Sequence, residues 1–269
     1  MLLVIGDFIV DQTYLVTNPK ASPEAPSLSI DLTSREPIWS PGGAGFAAAY
    51  AKKAGFEVHL ATILSFSAKE HLWAEYKVEA DSLADSVSFN DLAKTRFIDI
   101  CSGYHLLRLN SDLLATKPDI SPQQMVKKLD RIIKEIHPSA YLLSDYTKGL
   151  FKKEYDWSYL LNYLSELGVP ILLDSRAINL SHWFKDGKLN PKVWLKLNEK
   201  EANNATRVLL NQDNPTELVY MDDPIVSKLI VTRGSKGAYV AIGGGIKGTD
   251  TIDDFMPTVR SSKRPDVTG

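Results

Sequence analysis

Polar residues recur in this chain immediately after short apolar runs. Residues 2–5 lead to Gly6-Asp7, 141–143 to Ser144-Asp145, 171–173 to Asp174, 193–197 to Asn198, and 229–231 to Thr232. Asp7 and Asp11 frame the turn after the first run, and ionised carboxylates there are strong acceptors for the neighbouring hydroxyls of a polyol. A turn cap at Asp7 with a solvent-exposed Asp11 explains the same residues equally well. Asn198 and Glu201 are spaced as a phosphate-facing amide and a carboxylate that orders water around Mg²⁺, an ion that keeps several waters and takes few protein carboxylates. The same spacing is an ordinary helix cap.

Two glycine-bearing segments join these residues. In Ser40-Pro41-Gly42-Gly43-Ala44-Gly45, the glycines let backbone approach a ligand closely, and the alanines that follow suit a tightly packed helix whose free N–H groups face an oxygen-rich partner. The segment is neither a Walker loop, since no Lys-Ser or Lys-Thr follows at the required spacing, nor a dinucleotide fingerprint, since it does not directly follow a strand. Thr232-Arg233-Gly234-Ser235-Lys236-Gly237 has the hydroxyls, glycines and cations of a phosphate-wrapping loop, and also those of a surface turn. The five histidines show no ligand spacing, and no Gly-x-Ser-x-Gly elbow supports a hydrolase.

The elements that must position these residues alternate. The apolar runs are short and continuous, as in strands buried on both faces. Between them, residues 123–136 and 155–167 carry apolar side chains at helical spacing, the second ending at Gly168-Val169-Pro170. Alternating strand and helix predicts an α/β fold with a mostly parallel sheet flanked by helices. Ligands in such sheets bind beyond the carboxyl ends of the strands, where Asp7, Asp145, Asp174, Asn198 and Thr232 fall. Residues 27–38 and 95–109 read as extended segments apart from this alternation, either a small sheet over the site or an extension of the main one. Residues 237–242 and 246–252 flank Gly243-Gly244-Gly245 as a hairpin, and residues 66–92 read as a solvated helix and loop.

Composition narrows the partner. The 269 residues are 44% apolar, enough for one large domain with a small appendage. Thirty-one basic and 33 acidic residues give a formal charge of -2, which offers no attraction to nucleic acid or to an anionic membrane. A single cysteine, Cys101, excludes an intrachain disulfide and suits a reducing compartment. The first apolar run is too short for a signal-peptide core, and no stretch approaches the roughly 20 apolar residues of a membrane span. The expectation is a cytoplasmic protein with a small-molecule partner.

Taken in chain order, Asp7-x-x-x-Asp11, Gly42-Gly43, Asn198-x-x-Glu201 and Val231-Thr232-x-Gly234-x-x-Gly237 resemble the ribokinase-like (PfkB) carbohydrate kinases. Ser22-Pro23-Glu24-Ala25-Pro26, Leu107-Arg108-Leu109 and Ser144-Asp145-Tyr146-Thr147-Lys148-Gly149 are most similar to the kinase domain of the bacterial heptose 7-phosphate kinase/adenylyltransferases. The resemblance covers nearly the whole chain. It implies a single kinase domain over residues 1–269, a Rossmann-like sheet with a small β-lid at about residues 12–40 and 95–110, and a homodimer formed through that lid. It also implies ATP and Mg²⁺ as cofactors and a sugar or sugar phosphate as acceptor, a heptose 7-phosphate-like compound first among them. Asp7, Asp11, Gly42, Gly43, Lys148 and Arg176 would contact the substrate, the last two at its phosphate. Asn198, Glu201, Thr232, Gly234 and Gly237 would contact ATP, with Glu201 reaching Mg²⁺ through water.

The sequence departs from the family twice. The family's glycine pair is followed three positions on by an Asn that contacts the sugar, and here that position is Phe46, which cannot replace an amide's hydrogen bonds. Asp266-Val267-Thr268-Gly269 matches the start of the Asp-x-Thr-Gly-Ala-Gly-Asp motif, so Gly269 opens the anion hole and the proton-accepting Asp lies past it. The expectation is slow or absent transfer in this chain. A sugar or nucleotide binder that has lost catalysis is the competing reading. Phe46 favours it; the paired Asn198 and Glu201 favour the kinase. A Rossmann oxidoreductase lacks its glycine fingerprint.

Overall fold

The computed structural model describes residues 1–84, 91–111, 119–176, 180–210 and 225–242. The chain divides into two compact units, Met1–Tyr155 and Asp156–Gly269. In the first, four parallel strands run in the spatial order β6 (Glu79–Ser82), β5 (Val58–Thr62), β1 (Leu2–Gly6), β9 (Ala140–Asp145). Leu3, Val4 and Ile5 of β1 have no exposed surface, as a strand covered on both faces requires. Helices α1 (Ala44–Lys53), α2 (Phe66–His71) and α3 (Pro122–Ile136) belong to the same unit. In α1 the buried residues are Ala44, Gly45, Ala48 and Ala49, and a Cβ on Gly45 would stand 2.5 Å from the Phe8 ring. Small residues therefore set how closely this helix packs.

Helix α3 starts at a reciprocal cap. Ser121 Oγ accepts from the Gln124 amide at 3.3 Å, and Gln124 Oε1 accepts from the Ser121 amide at 2.8 Å, with Pro122 in the first turn. Strands β5 and β6 are the elements that sequence periodicity does not reveal. Residues 58–62 are interrupted by His59, a buried ring whose Nε2 lies 3.0 Å from Asp81 Oδ2 on β6. Residues 66–92 contribute α2, a π-helical turn over Leu72–Tyr76 and strand β6, and bury Leu72, Val78, Ala80 and Leu83. Their many acidic residues hide this core role.

The extended segments form a sheet of their own and do not prolong the first. Strand β2 (Phe8–Ala21) pairs with β3 (Leu28–Leu32) and β4 (Ile38–Gly43), both antiparallel, and with β7 (Ala93–Asp99), parallel; β7 pairs antiparallel with β8 (His105–Asn110). Since β2 begins two residues after β1 ends, the chain leaves one sheet and enters the other within a single turn.

The second unit holds β10 (Ile171–Ser175), β11 (Val193–Asn198) and β12 (Lys228–Thr232) as parallel neighbours, with β13 (Ala238–Ile242) antiparallel to β12. Helix α4 (Ser158–Glu166) buries Leu160, Leu161 and Leu164, and α5 (Glu199–Leu210) buries Ala202, Ala205 and Thr206. The expected hairpin is described only as far as β13, and its second arm lies outside the described residues.

One side chain ties the first unit's strand ends together. The Asp7 carboxylate accepts from the amides of Tyr146 (2.8 Å) and Lys148 (3.0 Å) at Oδ2 and of Leu150 (3.0 Å) at Oδ1. Its own amide donates to Ser144 O, and its carbonyl accepts from the Ala44 amide at the start of α1. Burial, reinforced by the neighbouring Asp145 charge, raises the Asp7 pKa from 3.8 to about 6 against the opposing pull of these amides. Gly43, at φ +58°, stands so close to Asp7 O that any Cβ would collide with it.

Two outcomes follow from this junction. Gly43→Ala is expected to lose about 1–3 kcal/mol in denaturant unfolding, because the left-handed backbone and the carbonyl contact both oppose a side chain. Folded Asp7 holds its proton up to about pH 6 whereas the unfolded carboxyl releases it near 3.8. The folded state thus binds more protons between those values, and stability falls as pH rises through that window. Urea melts from pH 4 to 7 should therefore show wild type losing about 2 kcal/mol relative to Asp7→Asn, and a pH-independent difference would contradict the assignment.

Candidate functional site

In the first unit the glycine pair touches both aspartates. Gly43 abuts the Asp7 carbonyl, and a Cβ on Gly42 would strike Oδ2 of Asp11. Asp11 lies on β2 opposite Ser40 of β4, and its Oδ1 accepts from Arg96 Nη1 at 2.8 Å. The Asp11 and Arg96 side chains are 20% and 10% exposed, so this ion pair is largely removed from solvent. Lys148 is held through its amide by Asp7, in a loop with positive φ at Thr147 and Gly149. Asp7, Asp11, Gly42, Gly43 and Lys148 thus form one connected cluster. Within it, Asp7 works as a backbone clamp and Asp11 as a charged group beside a glycine.

Arg96 is the member that sequence reading missed. It sits mid-strand among alternating residues, where an arginine ordinarily points to water; the register of β2 against β7 puts it opposite Thr13, on the same face as Asp11, whose carboxylate its side chain reaches. Thr62 is another, its Oγ1 donating to Gly6 O at 2.5 Å beneath the turn. A hollow of about 440 Å³ beside the clamped loop is lined by Thr147, Gly149, Lys152 and Tyr155. There Asp119 accepts from Lys152 Nζ at 2.9 Å and Tyr155 Oη at 2.8 Å. Phe46, in the first turn of α1, is 48% exposed, with its ring 4.1 Å from that of Tyr50.

In the second unit, the carboxyl ends of three parallel strands align polar groups in register. Asp174 of β10 pairs with Lys196 of β11, and Asn198 of β11 with Thr232 of β12. Lys196 Nζ donates to Asp174 Oδ1 at 3.0 Å, a contact between two half-buried side chains that the apolar run around Lys196 concealed. Asn198 and Glu201 form a capping box: the Glu201 amide donates to Asn198 Oδ1, and the Asn198 amide to Glu201 Oε2, both at 2.8 Å. The other Glu201 oxygen, Oε1, is 3.9 Å from Arg176 Nε. Arg176, assigned from sequence to substrate phosphate, therefore neighbours a residue of the nucleotide group.

Thr232 Oγ1 reaches Leu197 O at 3.5 Å, and the chain then turns through a 3₁₀ helix at Gly234–Lys236. Arg233 N donates to Gly237 O at 2.7 Å, closing the turn, and both Gly234 and Gly237 have positive φ. Gly269 lies outside the described residues. Among the described residues no group of three or more His, Cys, Asp or Glu side chains could hold a metal ion, and no helix is long and apolar enough to cross a membrane.

No family model matches the chain. Curated relatives do. The chain is 28% identical over 246 residues to the bifunctional protein HldE of Koribacter versatilis, covering 88% of this chain and 47% of the relative. It is 31% identical over 197 residues to HldE of Nitrosococcus oceani, covering 71% and 39% respectively. The chain thus spans less than half the length of these relatives. Among solved structures, phosphofructokinase-2 from Escherichia coli in complex with fructose-6-phosphate superposes with a TM-score of 0.64 at 17% identity, covering 98% of this chain and 82% of that one. Arabidopsis thaliana ribokinase complexed with ribose and ATP gives 0.57 at 16% identity, covering 93% and 77%. At such identity the structural likeness establishes the fold, and the HldE relatives agree with it: this is a chain of the ribokinase-like α/β fold.

Proposed function

We propose that this chain is a carbohydrate kinase that transfers phosphate from ATP to a hydroxyl of a sugar or sugar phosphate, with a heptose 7-phosphate-like acceptor as the preferred substrate. The observation that carries this reading is the in-register alignment of Asp174, Lys196, Asn198 and Thr232 at the carboxyl ends of β10–β12, followed by the glycine turn. Such an end, with an amide, a hydroxyl, a cation and a tight turn, suits a polyphosphate. The relatives named HldE, and the fold neighbours solved with fructose-6-phosphate or with ribose and ATP, support the same class.

Phosphoryl transfer depends chiefly on positioning and on neutralising charge. On the nucleotide side, Asn198, Thr232, Gly234 and Gly237 would orient ATP. The donor set fits Mg²⁺ as a water-retaining ion: Glu201 Oε1 is not used in the cap and provides one hard oxygen, the remainder coming from water and phosphate. When bound, the metal supplies charge neutralisation at the phosphates. On the sugar side, Asp11 would accept hydroxyl hydrogen bonds through Oδ2, the oxygen for which the missing side chain of Gly42 leaves room, while Arg96 fixes the carboxylate's orientation through Oδ1. Asp7 and Gly43 hold the cluster, and Lys148 adds cationic reach, while Arg176, beside Glu201, would add it on the nucleotide side. The two units act as one kinase domain, with the second sheet as its lid. A second copy would cover the face of that sheet carrying Tyr14, Phe97 and the half-exposed Leu107 and Leu109. An ATP-dependent reaction also suits the cytoplasm.

The test separates charge from folding. Glu201→Gln keeps an oxygen for the cap and loses the carboxylate. It should leave the melting temperature nearly unchanged while lowering Mg²⁺-dependent ADP release with sugar phosphates by about ten- to a hundred-fold. Turnover equal to wild type would remove Glu201 from the site. Tight ATP binding with no ADP release on any sugar or sugar phosphate, from this chain and also from one extended past Gly269 through the rest of the Asp-x-Thr-Gly-Ala-Gly-Asp motif, would favour the non-catalytic binder.

A further inference from the structure

The peptide unit that joins Gly6 to Asp7 is gripped at both of its polar ends. Its N–H, on Asp7, donates to the Ser144 carbonyl at 3.0 Å, and its C=O, on Gly6, accepts from the Thr62 hydroxyl at 2.5 Å. The first bond continues the pairing of β1 with β9, in which Gly6 stands opposite Ser144. The second takes over where pairing has run out: β1 and β5 are in register only as far as Ile5 and Ala61, so a side chain meets the Gly6 carbonyl at the point where strand pairing stops. Thr62 closes β5 and has no exposed surface, and its own carbonyl accepts from the Leu83 amide at 2.6 Å. The hydroxyl therefore projects from a fixed stem.

A peptide is planar, so holding its carbonyl and its N–H sets the direction in which the next residue leaves the strand. Here that residue is Asp7, whose carboxylate must meet the amides of Tyr146, Lys148 and Leu150 and whose carbonyl must meet that of Ala44. On the β9 side the backbone has no room to shift, since even a Cβ on Gly6 would strike the Ser144 carbonyl. On the β5 side the grip is the Thr62 hydroxyl. A buried carbonyl deprived of its donor costs free energy, and a peptide that rotated to find another donor would turn Asp7 with it.

We propose that Thr62 is a positioning residue for the cluster around Asp7: its hydroxyl sets the tilt of the Gly6–Asp7 peptide and, through Asp7, the places of Lys148 and Gly43. Thr62 contacts none of the groups assigned to a ligand and acts only through the backbone of β1. The consequence for ligand binding rests on the kinase reading, whereas the consequence for the clamp does not. Valine has nearly the shape of threonine without its donor, and serine keeps the donor without the methyl group. The pair separates the hydrogen bond from the packing.

Amide hydrogen exchange resolved by NMR reads the clamp directly in wild type, Thr62→Val and Thr62→Ser. Thr62→Val should speed exchange at Tyr146, Lys148 and Leu150 about ten-fold more than at the amides of α3, and Thr62→Ser should stay within about three-fold of wild type. A hydroxyl that merely stabilised the fold would speed all these amides alike, and one that served β5 alone would leave residues 146–150 unchanged. Either result overturns the proposal, as does Thr62→Ser behaving like Thr62→Val. Should Thr62→Val not fold, Thr62→Cys, a weaker donor, should speed the same three amides about three-fold relative to α3, and an unchanged ratio overturns the proposal. Calorimetry supplies the second arm: Thr62→Val should weaken fructose 6-phosphate about ten-fold and ATP less than about two-fold, and equal weakening of both would overturn the ligand consequence. The expected exchange pattern, with neither ligand bound by wild type or by a chain extended past Gly269, would refute the kinase reading and leave the role of Thr62 at Asp7 standing.

Discussion

The first unit is organised around a buried carboxylate whose hydrogen bonds are all with backbone. Asp7 joins β1 to the loop after β9 through three amides, and its carbonyl receives the first amide of α1. Breaking any of these bonds would leave a desolvated charge without compensation, which makes the junction rigid. The price is a carboxyl group whose ionised form is disfavoured by burial and by Asp145. In return, Gly42, Gly43 and Asp11 acquire fixed places relative to a strand that is itself buried on both faces. Because β2 starts at Phe8, the second sheet is anchored to the first by the same residue.

The second unit reaches a comparable result with different chemistry. Here the strands supply the alignment, and a reciprocal cap between Asn198 and Glu201 fixes the start of α5. A capping residue and a ligand-binding residue are not exclusive roles. The cap consumes one oxygen of each side chain and holds the remaining atoms in a single orientation, which is what a nucleotide site needs. The contact between Arg176 and Glu201 adds a cation beside the same cap.

Much of this was legible from local pattern. Continuous apolar runs marked β1, β9, β10, β11 and β12, and the polar residue ending each run marked the strand's carboxyl end, because both signals depend only on near neighbours. Strand β5 was hidden by His59, whose polarity is satisfied by Asp81 twenty-two positions later, and β6 by acidic residues that flank buried Ala80. The Asp7 clamp was equally invisible, since its donors lie about 140 residues away. That Arg96 and Arg108 stand opposite each other is set by the β7–β8 register, which no local pattern carries. What the sequence concealed was in each case a pairing across the chain, whereas what it exposed was periodicity within a segment. Phe46 remains a departure visible in both, an exposed ring where the resembling family carries an amide.

In the proposed kinase the acceptor binds at the Asp11 face and the nucleotide at the ends of β11 and β12. Amide hydrogen exchange read by mass spectrometry, with Mg²⁺ and a non-hydrolysable ATP analogue in one arm and fructose 6-phosphate in the other, addresses both assignments together. The nucleotide should slow exchange in residues 196–202 and 232–237, and the sugar phosphate in residues 9–13, 40–46 and 94–110. Protection by both ligands confined to other segments, or none at saturating concentration, would contradict it.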